Sequence, residues 1–101
     1  RESYRALLAR WPASLSGLFG LGNVEYALGN VAAAEGAFRR ATEAHPNAAP
    51  AFNNLAHVLA VLGRLAEAEN AARTAVGLGR PTAPEARKTL EAILPRRLTR
   101  P

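Results

Sequence analysis

The sequence predicts an all-α protein built from helical hairpins stacked side by side, and three observations lead to that prediction. Residues 15–48 and 49–82 resemble each other at a spacing of 34 residues, a fixed period that is typical of stacked repeats. The identical pairs include Leu21/Leu55, Leu28/Leu62, Gly29/Gly63, Ala34/Ala68, Glu35/Glu69, Arg39/Arg73 and Ala41/Ala75. Ala supplies 23 of the 101 residues whereas Phe, Tyr and Trp together supply six, which suits closely packed helices. No segment alternates apolar and polar residues as a strand does.

Each 34-residue unit contains two predicted helices separated by a glycine. The predicted helices cover residues 15–28 and 31–44 in the first unit, and 49–62 and 65–78 in the second. Gly29 and Gly63 separate them, because Gly adopts the positive φ of a helix C-terminus without a Cβ clash. We expect the side chain of Asn30 to cap the helix that follows it. Pro46 ends the first unit, since Pro cannot continue a helix interior.

Partial units are expected on both sides of the two complete ones. Residues 1–14 would supply the second helix of a preceding unit, because Tyr4 and Pro12 lie 34 residues before Phe38 and Pro46. At the other end, Thr82 and Glu85 are spaced as a capping box that opens a capping helix over residues 83–94. We expect Pro95 to end that helix, so that residues 1–94 form one domain and 95–101 a disordered basic tail.

The composition excludes several kinds of site. The chain has no Cys and no Asp, and its two His residues, His45 and His57, lie twelve positions apart. A disulfide, a thiolate metal site, a calcium loop and a Ser-His-Asp triad are therefore not predicted. No apolar run reaches the roughly 18 residues of a membrane span. We predict no catalytic residue, metal or cofactor, and hence no enzyme.

The glycine-rich segment from Gly17 to Gly22 is not predicted to bind phosphate. It lacks the G-x-G-x-x-G order, and no strand precedes it. Each helical Gly costs roughly 1 kcal/mol relative to Ala. We therefore expect these glycines to permit close packing against the preceding helix.

The two units resemble the tetratricopeptide repeat, whose 34-residue pattern is W-x₂-L-G-x₂-Y…A-x₃-F…P. The first unit matches it at Leu18, Leu21, Gly22, Ala34, Phe38, Ala41 and Pro46, and the second at Phe52, Leu55, Ala56, Leu59, Ala68, Ala72, Ala75 and, one place late, Pro81. Glu25 stands at the tyrosine position, next to Tyr26. The resemblance covers roughly residues 1–94 and implies a right-handed superhelix of about six helices. It also implies a non-catalytic scaffold that binds a protein or peptide partner in a concave groove.

The first helix of each unit lines that groove in the family. The resemblance therefore places in it Phe19, Asn23, Tyr26, Asn53, Asn54, His57, Arg87 and Lys88, with Glu91 beside them. Asn23 and Asn54 match the two amides of the family's carboxylate-clamp subgroup, and Lys88 matches one of its cations. Phe19 and Pro84 occupy the other two basic positions, so binding of a chaperone tail is not expected. The null alternative is that both Asn residues are solvated surface amides.

The N-terminal helix is predicted to leave an apolar face uncovered. That face comprises Tyr4, Leu7, Leu8 and Trp11, and we expect either self-association there or a preceding domain or repeat, since the sequence begins with Arg1 rather than Met. The formal net charge is +5, and residues 80–101 contain six cations and two Glu. Such a basic end could meet an acidic protein, nucleic acid or an anionic membrane, but a solvated tail is the preferred interpretation.

Two further functional hypotheses remain open. The segments around Leu7 to Pro12 and Leu21 to Gly29 loosely resemble repeat tracts attached to bacterial cysteine-peptidase-like proteins of the bacteriocin-processing type, so the chain could be an accessory region of a larger enzyme. RNA binding is less favoured, because pentatricopeptide arrays have a period of 35 and two units would read few bases. The use of Arg over Lys and the Ala content indicate a bacterial source. The sequence leaves the location open between the cytoplasm and the periplasm.

Overall fold

The computed structural model describes residues 1–99, which form six helices and contain no strand. The helices are α1 (Glu2–Arg10), α2 (Leu15–Ala27), α3 (Val31–Ala44), α4 (Ala49–Val61), α5 (Leu65–Gly77) and α6 (Ala83–Leu98). Their order and positions confirm the predicted all-α fold of repeated hairpins.

The helices are arranged as a stack of hairpins. Each helix packs mainly against the next one in the chain, and α4 also packs against α6. The principal extents of 43 × 28 × 17 Å describe an elongated stack. We call the surface formed by α2, α4 and α6 the A face, and the surface formed by α1, α3 and α5 the B face.

Small residues at repeated positions allow the helices to approach closely. Ala34 and Ala68, which occupy the same position in the two units, have no solvent exposure. Phe38 belongs to the larger core cluster together with these alanines, Leu55 and Leu59. Ala72, which stands at the position of Phe38 in the second unit, is fully buried as well, so the small residues follow the repeat whereas this large one does not.

The glycines of α2 are positions of close helix contact. A Cβ on Gly17 would lie 2.9 Å from Cδ2 of Leu8, and one on Gly20 would enter the ring of Tyr4. Side chains of α1 therefore pack directly on the backbone of α2 at both glycines. This confirms the predicted packing against the preceding helix at these two positions. Gly22 differs, because its added Cβ would lie 2.6 Å from Cε1 of Phe38 in the following helix, α3. The expectation was wrong there because Gly22 faces the second helix of its own unit.

The turns are as predicted, whereas two of the helix caps are not. Gly29 and Gly63 have φ values of 84° and 78° and follow the first helix of each unit. Asn30 is the N-cap residue of α3 but makes no capping bond, because its Nδ2 donates to Oε1 of Glu25 at 3.0 Å. Thr82 likewise makes no side-chain cap, since its backbone is already helical with φ −76° and ψ −24°.

The terminal helix extends beyond its predicted end. α6 continues through Pro95 to Leu98, so residues 95–98 are helical rather than a disordered tail. Pro95 lacks the N–H that would bond to the Glu91 carbonyl, and two other bonds hold the last turn. Nη1 of Arg97 donates to Oε1 of Glu69 at 2.6 Å, and the Pro95 carbonyl accepts from the Thr99 amide at 3.1 Å. Residues 100 and 101 of the predicted tail lie outside the described part.

Ion pairs join successive units on the B face. Glu35 accepts from Nε of Arg39 at 2.6 Å and from Nη1 of Arg64 at 3.0 Å, while Glu67 accepts from the same two arginines at 3.3 and 2.8 Å. The hydrogen bond from Arg39 is the main cause that lowers the pKa of Glu35, and the bond from Arg64 lowers that of Glu67. The four side chains form a ring, which we call the inter-unit ring, between α3 and the start of α5.

The N-terminal face is less exposed than predicted. Leu8 is buried, with 8% of its surface exposed, and Tyr4 and Leu7 are half-buried. Their side chains fill the space above Gly17 and Gly20, which is why they do not form an open apolar surface. Trp11 is 53% exposed and stacks under the guanidinium of Arg10 at 4.8 Å, so it alone of the four predicted residues stays open.

A buried carboxylate fixes α1 to α2. Glu25 is 4% exposed and lies 3.3 Å from Nε of Arg1 and 3.7 Å from Nη2 of Arg5. Together with the bond from Asn30, these contacts give the buried charge three partners. The departure from the family's tyrosine at this position thus provides the polar attachment of α1.

A search for membrane-spanning helices within residues 1–99 finds none of sufficient length and apolarity.

Candidate functional site

Four of the predicted groove residues surround one concavity on the A face. Asn23, Tyr26, Asn54 and His57 line a space of about 250 Å³ between α2 and α4. Phe38 and Val58 complete its lining and are buried. We call it the amide cavity. The repeat spacing places these residues on adjacent helices, because α2 and α4 are equivalent helices of successive units.

The two asparagines of this cavity are paired. Nδ2 of Asn54 donates to Oδ1 of Asn23 at 3.0 Å, across the boundary between the two units. An amide group has two donor hydrogens and an oxygen with two lone pairs. The pair therefore retains the Asn23 amide hydrogens as donors and the Asn54 oxygen as an acceptor. One donor and one acceptor side by side match the N–H and C=O groups of an extended peptide.

Phe19 lies beside a second concavity rather than in the amide cavity. This space of about 320 Å³ is lined by Leu15, Ser16, Phe19, Ala48, Pro50 and Ala51. Of these, Ser16 alone contributes a polar side chain, and we call the space the apolar cavity. The Phe19 ring packs edge-to-face on Phe38, with centroids 5.8 Å apart, which fixes its position at the border of the two cavities.

The remaining predicted residues lie towards α6. Asn53 is half-buried and accepts a hydrogen bond from Oγ1 of Thr89 at 2.7 Å, so its oxygen is directed at α6. Arg87 and Lys88 are exposed on α6, and within residues 1–99 neither has a carboxylate oxygen within 4 Å. These three residues line neither of the two cavities.

Sequence reasoning missed most of the lining of the apolar cavity. Leu15, Pro50 and Ala51 read as ordinary helix-start or packing residues, and nothing in their spacing marks a cavity. The cavity results from the small side-chain volume of Ala48 and Ala51, which face Leu15 and Phe19 and leave the space between them unfilled. Phe38, a buried core residue, also forms a wall of the amide cavity.

The A face presents amide donors and acceptors, an imidazole, a phenol and an apolar depression. Among residues 1–99 there is no group of three or more metal-binding side chains close enough to hold an ion. Every buried side-chain nitrogen or oxygen in this part of the chain has a hydrogen-bond partner, so no buried polar group awaits a ligand.

Comparison with known proteins agrees with the repeat architecture. A family model described as a tetratricopeptide repeat matches residues 1–49 and 20–84. Among solved structures, the chain is similar to SycD, the type III secretion translocator chaperone of Yersinia enterocolitica, with a TM-score of 0.88 and 22% sequence identity. That alignment covers 97% of this chain and 72% of SycD, and at this identity it shows the fold. No curated protein matches the sequence.

Proposed function

The chain belongs to the tetratricopeptide repeat family, and we propose that it is a non-catalytic scaffold that binds a peptide or an extended segment of a partner protein on its A face. The observation that carries the proposal is the hydrogen-bonded pair of Asn23 and Asn54 at the edge of an open cavity. The chaperone named in the structural comparison also supports a protein-binding role over an enzymatic one.

The chemistry of the pair favours a peptide backbone as the ligand. An extended segment presents N–H and C=O groups that need partners, and a paired amide offers both kinds without reorganisation. The hydrogen bond between the two asparagine side chains already holds them in place, which reduces the conformational entropy lost on binding. Tyr26 and His57 on either side supply contact area at the same cavity.

The surrounding residues argue against a terminal carboxylate held in the manner of the clamp subgroup. Phe19 and Pro84 replace two of its cations, and the Phe19 ring packs on Phe38. The amide pair therefore contacts main-chain groups in the interior of the ligand segment and not its terminal carboxylate. No group of residues on this face supports RNA binding or a role as the accessory region of a cysteine-peptidase-like enzyme, and we propose neither.

The experiment compares peptide binding by two variants. A peptide array is probed with the wild-type chain, with Asn23→Ala/Asn54→Ala and with Asn70→Ala, a control that removes an exposed amide from α5. Loss of two to three hydrogen bonds, each worth about 1 kcal/mol, should weaken binding roughly thirtyfold to a hundredfold in the double variant. The control should bind as the wild type does. Equal binding by all three proteins would refute the assignment of this face.

A further inference from the structure

The A face changes in character from one helix to the next at a single level of the stack. Phe19, Asn53 and Arg87 are spaced by 34 residues, so they occupy the same position on α2, α4 and α6. We call this series the lower row. It passes from an apolar side chain to an amide and then to a cation, next to Asn54 and Lys88.

From this gradient we infer that the partner is an extended acidic segment, with one apolar side chain in the apolar cavity and an acidic side chain about four residues away against Arg87 and Lys88. The inference rests on the proposed function and specifies the chemistry of the ligand.

The apolar end of the row has room for a side chain. The apolar cavity of about 320 Å³ lies between α2 and α4, and Leu15, Phe19 and Pro50 form much of its lining. Its walls offer no buried donor or acceptor, so a polar side chain placed there would lose its hydration without compensation. An aliphatic or aromatic side chain would instead gain burial.

The middle of the row binds main chain. Asn53 uses its oxygen to accept from Thr89, which leaves its amide hydrogens as donors. Asn54, one residue further, is paired with Asn23. A segment that crosses α4 between the two cavities would pass over these amides. They suit backbone carbonyl and amide groups and do not select a side chain.

The α6 end of the row is cationic, and neither of its two cations forms an ion pair within the described residues. Arg87 and Lys88 are exposed, and within the described residues 1–99 both lie more than 4 Å from any carboxylate oxygen. The next row, one turn higher, consists of Asn23, His57 and Glu91, and it ends in a carboxylate. An acidic ligand residue is therefore favoured at the lower row, which lies level with the apolar cavity, and disfavoured one turn above it.

The separation of the two anchor points fixes the spacing in the ligand. Neighbouring packed helices lie about 8–10 Å apart. The apolar cavity lies beside α4, and α4 packs against α6, so the distance from the cavity to the cations of α6 is about one and a half such intervals, or roughly 12–15 Å. An extended chain advances about 3.3 Å per residue, so the apolar and acidic residues should be about four positions apart.

The test is a selection from a random ten-residue peptide library displayed on phage, followed by fluorescence anisotropy with the enriched peptides. We expect enriched peptides to carry an apolar residue and an acidic residue three to five positions apart. Arg87→Glu/Lys88→Glu should weaken their binding about tenfold or more. Arg10→Glu/Arg96→Glu, with the same change of net charge outside the row, should weaken it by less than about threefold. Ser16→Trp, which fills the cavity from an exposed position, should weaken it about tenfold.

The outcomes separate this inference from the proposed function. Peptides that lose binding with Asn23→Ala/Asn54→Ala but show no acidic enrichment, or that bind the charge-reversed protein equally well, overturn the inference and leave the proposed function standing. If selection yields no binder, or yields binders indifferent to the asparagine pair, the proposed function fails and this inference fails with it.

Discussion

Gly22 lies where a side chain of α3 meets the backbone of α2, and replacing it with Ala tests how tightly the repeats are packed. A Cβ at this position would lie 2.6 Å from Cε1 and 2.7 Å from Cζ of Phe38. The Phe38 ring is 1% exposed and is held edge-to-face by Phe19, so relief requires either a shift of both rings towards the amide cavity or a separation of α2 from α3.

The magnitude follows from comparison with Gly36→Ala. Both glycines lie inside helices, so both substitutions gain roughly 1 kcal/mol of helix propensity. Nothing lies within 4 Å of a Cβ added at Gly36, whereas overpacking of a filled core costs about 1–3 kcal/mol. The propensity gain cancels in the difference. The free energy of unfolding of Gly22→Ala should therefore be about 1–3 kcal/mol lower than that of Gly36→Ala.

Urea unfolding followed by circular dichroism measures this difference. Gly36→Ala should unfold at higher urea concentration than the wild type, and Gly22→Ala at lower concentration than Gly36→Ala. Phe38→Leu should reduce the penalty of Gly22→Ala, because it removes the ring atoms that the new methyl group meets. Equal stabilisation by both Gly→Ala substitutions would contradict the close contact between Gly22 and Phe38.

Three further perturbations test other parts of the structure. The pKa of Glu35 is held below its ordinary value of 4.5, chiefly by the hydrogen bond from Arg39. The contribution of Glu35 to the free energy of unfolding is therefore complete above that value and disappears as the pH falls through the lowered pKa. In urea titrations below pH 4.5, Glu35→Gln should lose less stability than the wild type does. An identical loss in both proteins would contradict the inter-unit ring. Glu25→Gln should increase hydrogen exchange of the α1 amides by roughly tenfold, since it removes the charge that Arg1 and Arg5 contact, and unchanged exchange would place the attachment of α1 elsewhere. Among the predicted interface residues Leu8 is buried and Trp11 alone stays open, so light scattering should give the mass of one chain. A dimer mass in the wild type that Trp11→Glu reduces to that of one chain would instead support self-association at the N-terminal helix.

The repeat period accounts for most of the fold that the sequence could predict. The positions of Gly29 and Gly63 required a backbone with positive φ, and both turns have it. The helix caps were not predicted correctly, because the Asn30 side chain is directed at the buried carboxylate of Glu25, to which its Nδ2 donates, and its oxygen accepts no capping bond. The end of α6 was missed because Pro95 reads as a stop, whereas the bond between Arg97 and Glu69 depends on a contact between helices.

The candidate site was predictable in its polar part and not in its apolar part. The spacing of Asn23 and Asn54 by 31 residues indicates neighbouring positions on adjacent helices, and the structure places them in hydrogen-bond contact. The apolar cavity arises from the small volume of Ala48 and Ala51 against Leu15. Such a cavity cannot be predicted from local sequence, because the same residue, alanine, occurs both where helices pack closely and where a gap is left between them.

The most direct test of peptide binding on the A face is an NMR titration of the ¹⁵N-labelled chain with a peptide from the selection. The account predicts that the largest amide shifts fall on α2, α4 and α6, among them the side-chain amide signals of Asn23, Asn53 and Asn54. The Asn70 side chain on α5 should show little change. Shifts concentrated on α3 and α5 would contradict the account and place the binding surface on the B face.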